Sequence, residues 1–160
     1  RGGSPEPERY LNGASERGSM LHDIADSPGG FAPAELHERY LDALAAVLDD
    51  HGVESVAERS GLDPADLRTV LGGDDPGLTL EEAASILAVP EDAPDGETIA
   101  AVARDDLLMG MTTAVLDVEA VESGLDGELE AREIHSKIEG RFPMTLREFA
   151  LLSQYIDGAR

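Results

Sequence analysis

Apolar residues recur at helical spacing along most of the chain, and the first run is among the longest. Leu36, Tyr40, Leu44, Val47 and Leu48 share one face of a helix expected over residues 33–50. His51 and Gly52 stop it, because glycine takes the left-handed conformation that helix ends favour. A short helix over residues 53–60 follows, closed by Gly61. The next one carries three start signals: Asp63 as N-cap, Pro64 at the first helical position and Asp66 in the first turn. It ends at Gly72 and Gly73. Thr79 and Glu82 then spell a capping box ahead of a helix with Leu80, Ala83, Ala84 and Leu87 inward.

Residues 90–96, with Pro90 and Pro94, read as a linker. Asp95 caps a long helix expected over residues 96–116. Its apolar residues, among them Ile99, Val102, Leu107, Leu108, Met111, Ala114 and Val115, occupy more than one face, which predicts a central, largely buried element. Gly110 within it costs about 1 kcal/mol against alanine, so a close helix neighbour is expected there. After a break near 124–127, a helix over residues 128–139 ends at Gly140. Thr145 and Glu148 form a second capping box, and the last helix, burying Leu146, Phe149, Ala150 and Ile156, runs to about residue 157. No segment shows the alternation of a strand.

Two stretches repeat each other. Gly73 matches Gly140, Pro76 matches Pro143, Thr79-Leu80 matches Thr145-Leu146, and Glu82 matches Glu148. Upstream, Ala46-Val47-Leu48-Asp49 resembles Ala114-Val115-Leu116-Asp117, and Ala57, Gly61, Leu62 and Asp63 resemble Ala120, Gly124, Leu125 and Asp126. The expected fold is all-α: two helix-turn-helix-like units from an internal repeat, packed through the two longer helices. Residues 33–89 form the first unit and 97–158 a divergent second one, preceded by a loop over 20–32. Residues 1–19 are poor in apolar residues and read as a disordered tail or as a cloning or mis-start remnant.

Composition changes the picture in one respect. Acidic residues outnumber basic ones 34 to 12, for a formal net charge of −22, and Lys137 is the only lysine. Such charge strains a compact state unless salt screens it; the screening length falls to about 3 Å at 1 M. The balance points to a salt-rich, halophilic cytoplasm. No cysteine is present, which excludes disulfides, thiolate metal sites and cysteine nucleophiles. No apolar run is long enough to cross a bilayer.

Residues 53–71 resemble the helix-turn-helix of the Cro/repressor (Xre-like) family. Val56, Ala57, Gly61, Leu62, Leu67 and Val70 carry the likeness, together with the Thr-Leu-x-Glu segment that follows. The resemblance implies that residues 63–71 enter the major groove of DNA. In the second unit Ala120 to Ile134 spans fourteen positions where Ala57 to Leu67 spans ten, about one additional helical turn. From Met20 onward the chain also resembles a small haloarchaeal family of acidic proteins with no assigned function.

A DNA reader needs cations on phosphates and base edges. The candidates are Arg68 and Thr69 in the first unit and Arg132, Lys137, Arg141 and Arg147 in the second. Glu128, Glu130, Glu133 and Glu139 are interleaved with the latter, and Glu133 is placed to pair with Lys137 at i,i+4. Four histidines share no metal-ligand spacing, and the glycines sit at helix ends rather than in a phosphate loop. No catalytic, cofactor or metal group, no membrane partner and no small-molecule substrate is indicated. The expectation is a non-catalytic cytoplasmic regulatory or adaptor protein whose partner is another protein or a second copy. A sequence-specific DNA-binding regulator is the alternative.

Overall fold

A computed structural model of the chain describes residues 20–25 and 27–160. The expectation for residues 1–19 lies outside the described residues. Among the described residues are nine α-helices and no strand, so the protein is all-α. The helices are α1 (Leu21–Ile24), α2 (Pro33–His51), α3 (Val53–Ser60), α4 (Pro64–Leu71), α5 (Leu80–Leu87), α6 (Gly96–Ala114), α7 (Val118–Gly124), α8 (Ala131–Ile138) and α9 (Leu146–Gly158).

Local chemistry sets most of the helix starts. The Asp63 carboxylate accepts from Ala65 N at 2.9 Å, Asp95 from Thr98 N at 2.8 Å, and Asp117 from Ala120 N at 2.8 Å. The bond from Thr98 N holds the Asp95 carboxyl below its ordinary pKa. Both capping boxes are closed. Thr79 Oγ1 accepts from Glu82 N at 3.1 Å while Glu82 accepts from Thr79 N at 2.9 Å; for Thr145 and Glu148 both distances are 3.0 Å.

The chain runs twice through one order: a long helix, two short ones, then a threonine-capped helix. The two long helices, α2 and α6, have 19 residues each. The expectation that these two pack on one another is corrected. The chief partner of α2 is α9, and that of α6 is α5, so each long helix lies on the last helix of the opposite half. The capped ends meet in an isolated antiparallel bridge between Thr79 and Thr145. There Leu80 N–H donates to Met144 O at 2.7 Å and Leu146 N–H to Leu78 O at 2.8 Å. Leu36, Leu44, Leu80, Ile99, Ile134 and Leu146, all fully buried, belong to one continuous core spanning both halves.

Other expectations are revised. The segment 20–32 is not a plain loop: it holds α1 and a 3₁₀ turn at Pro28–Gly30 that packs on α9, where Gly29 N–H donates to Asp157 Oδ2 at 2.9 Å. The long helix ends at Ala114, because Val115 turns left-handed at φ 56°. It is not central: Leu108, Met109 and Val115 are exposed while Ile99, Ala103, Leu107 and Met111 are buried. The helix expected over residues 128–139 begins only at Ala131, capped by Glu130, and α7 precedes it. Ala46-Val47-Leu48-Asp49 lies inside α2, whereas Val115 leaves α6 and Asp117 caps α7, so these two strings do not occupy equivalent places. Gly110 does face a close neighbour: an added Cβ would stand 2.8 Å from Ile156 Cγ2.

Candidate functional site

The residues expected to meet a partner lie on α4, on α8 and just beyond α8. Gly61, at φ 77°, ends α3 and lets Leu62 and Asp63 lead into α4. Leu67 and Val70 are buried, which turns Asp66 and Arg68 outward. Thr69 is half-buried and spends its hydroxyl on Ala65 O at 3.1 Å. Arg68 stands exposed with no carboxylate partner among the described residues. On α8, burial of Ile134 and Ile138 leaves Arg132, Glu133 and His135 outside.

Lys137 is drawn inward. Its side chain is only 12 % exposed, and its Nζ donates to Glu148 Oε2 at 2.6 Å and Glu133 Oε2 at 3.0 Å. Desolvation alone would lower its pKa, but the bonds to Glu148 and Glu133 outweigh it and leave the group raised. Glu133 is correspondingly lowered, first by the bond from Lys137 and then by its backbone bond at Glu130. Arg141 is 61 % exposed and pairs with Glu139 at 2.9 Å. Arg147 is exposed at the start of α9. The four cations concentrated in sequence therefore do not make one basic stripe: one is a half-buried strut, one is matched by an acid, and Arg132 and Arg147 stand alone.

Two features escaped the sequence reading. Phe142, 62 % exposed, stands beside Arg141 in the turn after α8, held up by Gly140 at φ 83° and followed by buried Met144. Its place in the repeated Gly-x-x-Pro segment masked it. The other is a half-open cavity of about 260 Å³ between α1, α2, α6 and α9. Its polar lining comes from residues as far apart as His22 and Asp157, which no spacing rule connects. Among the described residues no group of three or more His, Cys, Asp or Glu is placed to hold a metal ion. Among the described residues no helix is long and apolar enough to cross a membrane.

This geometry defines an all-helical protein whose like-ordered halves meet at a pair of capping threonines. The chain belongs to the family of unknown function DUF5791, whose model matches residues 36–159, from within α2 to the end of α9. No curated protein and no solved structure matches it.

Proposed function

We propose that the chain is a non-catalytic regulatory or adaptor protein of a salt-rich cytoplasm. Its helix-turn-helix-like scaffold binds another protein rather than performing chemistry. The observation that carries this reading is the exposed Phe142–Arg141 pair beside α8. Phenylalanine and arginine are both enriched at protein interfaces, and both are more than half exposed here. The surrounding surface lacks the continuous positive track that a phosphate backbone requires, because Lys137 is consumed by Glu133 and Glu148.

One observation favours the runner-up, a sequence-specific DNA-binding regulator of the Xre-like kind. Arg68 on α4 and Arg132 on α8 are exposed and carry no ion pair among the described residues. Arginine is the side chain best suited to guanine edges.

A pull-down from native high-salt lysate, with and without nuclease, separates the two. The protein reading expects a partner that survives nuclease and is lost with Phe142→Ala. A discrete DNA fragment, recovered by wild type and lost when Arg68 and Arg132 are neutralised together, would replace it with the runner-up.

A further inference from the structure

The cavity between α1, α2, α6 and α9 has a built interior. Leu107, Phe149 and Ile156 wall it with buried apolar surface. At its floor the Tyr40 hydroxyl hydrogen-bonds with Ser153, the one buried polar residue among those described. Burial pushes the Tyr40 hydroxyl well above its ordinary pKa; the Ser153 bond offsets part of this and Asp106 adds to the rise. Tyr40 is thus a neutral donor and acceptor at any ordinary pH. The Tyr40 and Phe149 rings pack tilted, with centroids 5.7 Å apart.

The charges around the opening are not equivalent. Asp157 is satisfied: Oδ2 accepts from Gly29 N at 2.9 Å and Oδ1 from Arg160 at 3.2 Å. Asp106 is not. Its Oδ2 meets His22 Nδ1 at 3.1 Å, and no described residue donates to Oδ1. The Asp106 side chain is 43 % exposed at the edge of an apolar chamber. A carboxylate oxygen that takes no hydrogen bond from the described residues, set beside apolar walls, suits a cation with an apolar body.

We infer that this cavity binds a small organic ammonium ion, its nitrogen on Asp106 and its hydrocarbon body against Leu107, Phe149 and Ile156. The site is distinct from the Phe142 surface, and neither reading depends on the other.

Cyclohexylammonium is the probe, with cyclohexanol and cyclohexanecarboxylate as neutral and anionic counterparts of like shape. Each is titrated into the full chain at constant ionic strength and followed by ¹H–¹⁵N NMR. The expected result is saturable binding of the ammonium ion alone, with shifts confined to the cavity-lining parts of α1, α2, α6 and α9. Asp106→Asn should weaken it about tenfold, the worth of a hydrogen bond to a charged group. Thr113→Trp, which fills the rim from an exposed position on α6, should abolish it while leaving the circular dichroism unchanged. Equal binding of cyclohexanol, unchanged affinity in Asp106→Asn, or no saturable shift with the ammonium ion would each overturn the assignment. The comparison of the three wild-type titrations decides the matter even if a variant fails to fold.

Discussion

Thr145→Ala tests the seam between the halves directly. The change removes the acceptor of Glu148 N–H, and a lost threonine N-cap costs about 0.5–2 kcal/mol. Three features place it in the upper part of that range. Thr145 is half-buried, so water replaces the lost acceptor poorly. Its partner Glu148 also holds Lys137 at 2.6 Å, so a loosened Glu148 weakens the hold on α8. Thr145 also faces Thr79 across the bridge. Thr79→Ala removes an equivalent cap, but Glu82 carries no cation. The expectation is therefore a loss of about 1.5 kcal/mol for Thr145→Ala, about 1 kcal/mol for Thr79→Ala, and little for Thr145→Ser. The double alanine variant should depart from the sum by about 0.5 kcal/mol or more, because the two sites are in contact. Urea unfolding at fixed high KCl supplies the midpoints. Equal midpoints for wild type and Thr145→Ala, or a larger loss at Thr79, would refute the reasoning.

Three further outcomes are expected. Gly124→Ala drives a Cβ to 2.1 Å from the ring end of Tyr155, so the ring must swing aside at a cost of about 1–3 kcal/mol; a Tyr155→Ala background should remove that cost, as chemical denaturation of the four variants will show. The chain should lose cooperative structure below about 0.5 M salt, where screening no longer hides the carboxylates; a melting temperature that stays flat from low to multi-molar KCl contradicts this. Glu133 is lowered from its ordinary 4.5, so its contribution is present above that pH and is lost as pH falls through the lowered value. Lys137 is raised from 10.5, so its contribution is full below that pH and is lost as pH rises through the raised value. Unfolding midpoints of Glu133→Gln and Lys137→Gln across pH should therefore converge on wild type at opposite ends.

Helix starts were readable because capping is local. Asp63, Thr79, Asp95 and Thr145 each bond a backbone N–H two or three residues on, and a sequence displays that spacing. What depends on distant residues was not readable. The apolar residues of α6 lie on two faces, and contact with α5 and α9 decides that Leu107 is buried and Leu108 is not. Met109, on the same helix, is 66 % exposed for the same reason. Gly124 reads like Gly61, a turn glycine. Yet it ends α7 beneath Tyr155, while the left-handed residues are Asp126 and Gly127. The i,i+4 pair of Glu133 and Lys137 followed from sequence; the shorter bond to Glu148, eleven residues away, required the fold. The Asp106 cavity had no sequence signal, since its lining converges from four helices.

The few cations explain why salt should act in opposite ways on the two functional readings. Arg104 donates from Nε to Lys137 O at 3.0 Å and pairs with Glu81 at 2.5 Å, joining α6 to α8 and α5. Arg59 donates to Val89 O at 3.0 Å, fastening α3 to the turn after α5. Lys137 ties α8 to α9. Three of the cations are thus spent on seams between elements, and the acids outnumber the rest on the surface. A contact made by a phosphate backbone releases counterions, so its affinity falls steeply as salt rises. A contact centred on Phe142 depends on apolar burial, and screening also relieves repulsion from the carboxylates around it. Partner retention measured from about 0.5 to 3 M KCl should therefore hold level or rise, and Phe142→Ala should remove it at every point. A steep fall with salt that is insensitive to Phe142→Ala would place the contact on Arg68 and Arg132 instead, and with it the DNA reading.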